Sequence, residues 1–166
     1  MNMKSDKTDR SNYRGITLSS TTYKTLFNIL LSSSTPYAEE IIGDHQCGFW
    51  RKRSTTDYTS IFCIRQILEK KWEYNETVYE LFINFKKAYD TVRMEILCNI
   101  LIEFGIPMKL VRLNKIYLNE TYRIVRVVKH LRDLFPIRNG LKQGNCLSSL
   151  LFNFSLEYAI RRVQVN

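Results

Sequence analysis

Leu81-Phe82-Ile83-Asn84-Phe85-Lys86-Lys87-Ala88-Tyr89-Asp90 is the stretch whose reading decides the fold. The apolar run that feeds it, Val78 to Ile83, reads as a buried strand. It stops at Asn84, and from Phe85 onward the chain turns toward a helix. A side chain at such a strand end projects into the cleft beyond the sheet, where a carboxylate can hold Mg²⁺ between substrate phosphates. Asn84 puts a neutral amide there, a much weaker ligand for a hard cation. Its other reading is a cap on the helix that follows, a role Asn fills well.

Outward from this stretch, the pattern alternates helices with short extended segments. Tyr23 to Leu31 carries apolar residues at helical spacing, and Ser32-Ser33-Ser34-Thr35-Pro36 reads as a breaker. Residues 37–54 read as irregular or hairpin-like, turning at Gly43 and Gly48. The spacing predicts an amphipathic helix over Asp57 to Trp72, with Ile61, Ile64, Ile67 and Leu68 on one face. A helix from Met94 to Phe104 is closed by Gly105 and Pro107, and a second covers Met108 to Leu118. Tyr122 to Val128 pairs with Leu134 to Arg138 as a hairpin, Gly140 to Gly144 is a turn, and Leu147 to Val163 is the last helix. Helices interleaved with hairpins make this an α+β pattern. Residues 1–11 form a polar lead-in, and with no repeat or linker visible, 12–166 read as one domain.

Composition narrows the function classes. A chain of 166 residues with 45% apolar and 13% aromatic residues builds a real core and is not disordered. A formal charge of +9 and a pI near 9.5 call for an anionic partner. Nucleic acid is the first candidate and an acidic membrane surface the second; the plain alternative is a basic surface without a partner. Cys47, Cys63, Cys98 and Cys146 have no CxxC pairing and sit in or beside apolar segments, so they read as buried reduced thiols of an intracellular protein. His45 and His130 are too few for a His-rich metal site. No apolar run of about 18 residues and no signal-peptide core are present, so neither membrane insertion nor secretion is expected. Nothing in the sequence decides between nucleus and cytoplasm.

Four blocks, in order, resemble the reverse transcriptase of a non-LTR (LINE-type) retrotransposon. They are Asn12-Tyr13-Arg14-Gly15-Ile16-Thr17-Leu18; Gln46-Cys47-Gly48-Phe49 through Arg53-Ser54-Thr55-Thr56-Asp57; Phe82 to Asp90; and Gly140-Leu141-Lys142-Gln143-Gly144 through Leu150-Leu151-Phe152-Asn153. The resemblance implies a right-hand polymerase, fingers and palm, that copies RNA into DNA with Mg²⁺. Its expected partners are an RNA template and an RNA–DNA duplex.

Carried over by position, Asn84 stands where that family has its first metal-binding aspartate, and Asp90 resembles the second acidic residue of the block, read here as structural. Tyr89 matches the steric gate under the nucleotide sugar; without the resemblance it reads as an ordinary core tyrosine. Gln143 and Gly144 match the motif that contacts incoming nucleotide and template. A glycine lets backbone approach a base pair, and Gln supplies donor and acceptor. Taken alone, the pair is a turn before a helix. Arg51, Lys52 and Arg53 match a fingers segment reaching toward template or triphosphate, chemistry that guanidinium groups suit; alone they are a solvated basic loop.

Departures from the family pattern are as informative. Asn145, Cys146 and Ser149 stand where the family carries an acidic or small residue and prolines, which loosens the loop by about 0.4–1 kcal/mol. Trp50 puts a large ring into an expected exposed loop. The sequence ends at Val165-Asn166, before the hairpin in which the family carries its Tyr-x-Asp-Asp block. The expectation is a truncated module, with incomplete palm and no thumb, an uncovered apolar sheet edge and a degenerate active site. Catalysis would then need an intact copy. The alternatives are a non-catalytic RNA or RNA–DNA binding module, or a relic without function.

Overall fold

In this computed structural model, which describes residues 20–50, 58–119, 140–163 and four two-residue strands between 122 and 136, helices carry the core. Helix α1 (Thr21–Ile41) leads into a loop over 42–50, and α2 (Tyr58–Glu73) is followed by an unpaired segment over 76–85. The short α3 (Ala88–Thr91), α4 (Met94–Glu103) and α5 (Met108–Asn119) come next. Then come β1 (Tyr122–Arg123), β2 (Arg126–Val127), β3 (His130–Leu131) and β4 (Phe135–Pro136), and finally α6 (Cys146–Arg162). α6 lies against α1 and α4, and α5 packs on both α4 and α1.

The core follows from apolar spacing on these helices. On α1, Phe27, Leu30, Ser34 and Ala38 fall three or four residues apart and are all buried. They meet Leu147, Leu150, Leu151 and Phe154 of α6, with Leu97 and Leu101 of α4 and Val111 and Leu118 of α5 completing one cluster. The end of α4 shows how sequence sets a boundary. Gly105 takes φ +76, Ile106 N–H reaches Leu101 O at 3.0 Å, and Gly105 N–H reaches Ile102 O at 2.9 Å. These are the two bonds of a Schellman cap, and Pro107 forbids continuation.

Several expectations change against this frame. The breaker at Ser32 to Pro36 does not break the helix; Pro36 lies inside α1. The buried face runs straight through it, and Thr35 Oγ1 donates to Leu31 O at 2.7 Å inside the turn that the proline disturbs. Tertiary burial outweighs the local cost of the proline. The expected pairing holds in part: Tyr122 lies opposite Pro136 and Arg123 opposite Phe135, but Arg126 and Val127 pair with Leu131 and His130, ahead of the expected Leu134 to Arg138.

The buried strand at Val78 to Ile83 is the largest correction. Among the described residues nothing pairs with it, and the four strands pair only with one another. A strand without a neighbour has no ladder to satisfy its N–H and C=O groups, and here Leu81 is 85% and Phe82 83% exposed. The helix expected at Asp57 to Trp72 is present, but Ile61, Ile64, Ile67 and Leu68 also face solvent. Of the four thiols only Cys98 is buried; Cys47 is half-buried, and Cys63 and Cys146 are exposed, because the helix faces that carry them are not covered. No helix among the described residues is long and apolar enough to cross a membrane. The polar lead-in, residues 1–11, lies outside the described residues.

Candidate nucleotide cleft

The cleft forms where the turn at 140–145 crosses α3. Leu141 N–H donates to Tyr89 O at 2.7 Å and Gly140 N–H donates to Val92 O at 2.9 Å, so the turn is pinned to both ends of that short helix. Gly140 and Gly144 both take φ +97, a left-handed conformation that costs glycine nothing. The turn thereby delivers Gln143 and Gly144 to the side of Tyr89. With Phe49, Asn145, Cys146 and Ser149 they line a cleft of about 400 Å³.

Tyr89 is held from below. Its ring stacks on Phe152 of α6, centroids 4.9 Å apart and planes 22° from parallel, and its hydroxyl lies 3.4 Å from Ser149 Oγ. The stack fixes the ring while the long hydroxyl contact leaves the oxygen free to meet a ligand. Asn145 is the N-cap of α6. Its Oδ1 accepts from Leu147 N–H at 3.1 Å, and its Nδ2 donates to Tyr117 Oη at 2.5 Å. A loop expected to be loosened is instead tied down by that side chain.

Charge in the cleft favours an anion. None of its lining residues is acidic. The first turn of the 17-residue α6 opens at Cys146 on its wall, bringing the positive end of the helix dipole. Lys142, next to Gln143 in sequence, does not line the cleft; its Nζ lies 4.5 Å from the centre of the Tyr117 ring. A second, more apolar cavity of about 240 Å³ shares Phe49, Cys146 and Ser149 with the cleft. Trp50 lines it half-buried beside Leu31 and Leu150, so the ring expected in an exposed loop is packed. Its neighbour Phe49, at φ +55, is the exposed one.

The structure therefore brings Tyr89, Gln143 and Gly144 together and leaves Asn84 apart from them. Asn84 is exposed and does not line the cleft. Nor does it cap α3, whose N-cap is Lys87 at φ +60 without a side-chain cap bond. Asp90 is exposed in its side chain, while its backbone packs under Gly140. Arg51, Lys52 and Arg53 lie outside the described residues. Mg²⁺ needs several hard oxygen ligands, and among the described residues no three His, Cys, Asp or Glu side chains converge. These residues do not fit a Mg²⁺ site.

Two residues of the quoted blocks to which the sequence reading gave no role, Gln46 and Asn153, tie the loop beside Phe49 to α6. Gln46 Nε2 donates to Asn153 Oδ1 at 2.9 Å and to Gly48 O at 3.1 Å, and Asn153 Nδ2 donates to the same carbonyl at 3.2 Å. The available signal was an amide among the apolar residues of Leu150 to Phe154, which needs a partner if buried.

This clasp, the Tyr89 stack and the glycine turn join three of the four sequence blocks at one place. A sequence model of the family described as reverse transcriptase (RNA-dependent DNA polymerase) matches residues 4–166, spanning all four blocks. With nearly the whole chain matched, the protein belongs to the reverse transcriptase family.

Proposed function

We propose that this chain is a fingers–palm segment of a reverse transcriptase of the non-LTR type, which presents the nucleotide side of the active site but does not polymerise by itself. The observation that carries this reading is a division within the site. Tyr89, Gln143 and Gly144 converge on one anion-favouring cleft, whereas no acidic cluster forms among the described residues. Asn84 stands at the first metal position of the resemblance, where it offers a neutral amide in place of a carboxylate. Each ~1.4 kcal/mol of lost transition-state stabilisation slows a reaction tenfold, so losing metal stabilisation worth several kcal/mol costs about a thousandfold or more.

The basic charge supports retained affinity for an RNA–DNA primer-template. Binding then falls steeply with salt, as counterion release requires. Primer extension is the test. The purified chain should bind a labelled primer-template in low salt and extend it neither with Mg²⁺ and deoxynucleotides nor after Asn84→Asp alone. Extension by the unmodified chain would overturn the reading, and so would a folded sample that fails to bind at low salt.

A further inference from the structure

Phe49 holds a backbone conformation foreign to its type. Its φ of +55 is left-handed, and a bulky side chain stays there only when its surroundings impose it. Both neighbours do so. On one side Gly48 O accepts from Gln46 Nε2 at 3.1 Å and from Asn153 Nδ2 at 3.2 Å. On the other, Trp50 packs against the core. The strained residue between them is nevertheless 76% exposed, so burial of its own ring does not offset the strain.

The anchored loop sets this ring on the wall of the cleft that holds Tyr89, Gln143 and Gly144, where the adjoining apolar cavity begins. Phe82 and Trp72 are more exposed, but neither lines the cleft or has a left-handed φ. We infer that Phe49 is a stacking platform for a nucleobase. The inference rests on the reading of this cleft as a nucleotide site and adds the part that the ring plays in it.

Three features of the cleft match one ligand chemistry. The exposed ring offers a π-face, which every base can use. Gln143 offers a donor and an acceptor to a base edge. The first turn of α6, with no acidic residue in the lining, suits a phosphate. An apolar side chain from a protein partner would use the ring alone, and a free phosphate would leave the ring unused. The base belongs either to an incoming mononucleotide or to a template strand. Both present the same face, and the test separates them.

Equilibrium binding by the whole chain, with Phe49→Leu, Phe49→Tyr and Phe49→Gly beside the parent, tests the inference. Leu keeps an apolar side chain without the π-face, and Tyr keeps the π-face. One arm compares dATP with inorganic tripolyphosphate. The other compares a primer-template whose first unpaired template residue carries a base with one that is abasic there. In one arm the parent should favour the ligand with the base about tenfold; Tyr should keep that preference and Leu should lose it. Loss in the first arm identifies the incoming nucleotide, and loss in the second the template strand. Phe49→Gly should also lose the preference, yet unfold at no lower temperature. Relief of the left-handed strain outweighs the added freedom of the unfolded chain, and the ring removed is an exposed one.

A Leu variant that keeps the preference, a parent that has none in either arm, or a Gly variant that unfolds earlier would overturn the inference. Each of these leaves primer-template affinity, and with it the proposed function, standing. A folded parent that does not bind primer-template at low salt would overturn both.

Discussion

Gly140 lies directly on the backbone of Asp90: a Cβ at Gly140 would sit 3.0 Å from the Asp90 Cα and 3.2 Å from its carbonyl oxygen. Gly140 also holds φ +97 and donates to Val92 O. Turn and α3 thus meet through bare backbone, which keeps Gln143 beside Tyr89. Gly105 shares the left-handed conformation, with nothing within 4 Å of its would-be Cβ.

The two glycines therefore form a matched pair. Gly105→Ala should cost only the conformational penalty, about 1–2 kcal/mol. Gly140→Ala should cost that and more, because backbone on both sides must move. Urea unfolding of the two variants measures the difference. Equal costs would mean that the turn and α3 are not in contact.

The amide clasp supplies a second prediction. Asn153 is 2% exposed and bridges Gln46 and Gly48 O. Asn153→Leu keeps the volume but strands those polar groups, at an expected cost of about 1–3 kcal/mol. Loss of stability should come with faster proteolysis near Gly48, because the loop loses its tether to α6. A stable variant with an unchanged cleavage pattern would show that the clasp does not hold the loop.

Helix spacing made most of the fold legible, since α4, α5 and α6 bury the faces that their sequences mark. What misled was context. Pro36 looked like a stop because the breaker rule is local, while the burial of Ser34 and Ala38 is not. Val78 to Ile83 looked buried because apolar composition records what a segment needs, not what covers it. At the site, the Gly140 to Gly144 turn was legible from its glycines. The pairing of Gln46 with Asn153 was not, since their hydrogen bond spans more than a hundred residues of sequence.

Acid should expose the anchor at the far end of α6. Glu157 is 4% exposed. Burial pushes its carboxyl up, but the hydrogen bonds from Arg161 and Gly43 N–H and the charges of His45 and Arg161 more than offset this, leaving it below the usual glutamate value. Its oxygens lie 2.8 Å from Arg161 Nε, 3.3 Å from Gly43 N and 3.1 Å from His45 Nε2. A depressed folded value means that the unfolded chain takes the proton first. The stabilisation is therefore complete above the unfolded value of about 4.3 and is lost as pH falls through the folded one. Thermal unfolding between pH 7 and pH 3, run on the parent chain and on Glu157→Gln, should show a steeper acid loss in the parent. Parallel curves would remove Glu157 from the account.

The thiols give a readout of the cleft itself. Cys146 is exposed on the wall of the cleft, with Sγ 3.4 Å from Asn28 Oδ1, and Cys63 is exposed on α2. Cys98 is buried; desolvation raises its pKa, and the nearby Lys115 only partly opposes the shift. Reaction requires access and thiolate together. A disulfide reagent should modify Cys63 and Cys146 quickly, Cys47 more slowly, and Cys98 only as the chain unfolds. A nucleotide seated against Gln143 and Gly144 should then protect Cys146 and leave Cys63 unchanged, which separates occupancy of the cleft from a general stiffening of the chain. Equal protection of both thiols, or of neither at saturating nucleotide, would place the ligand elsewhere.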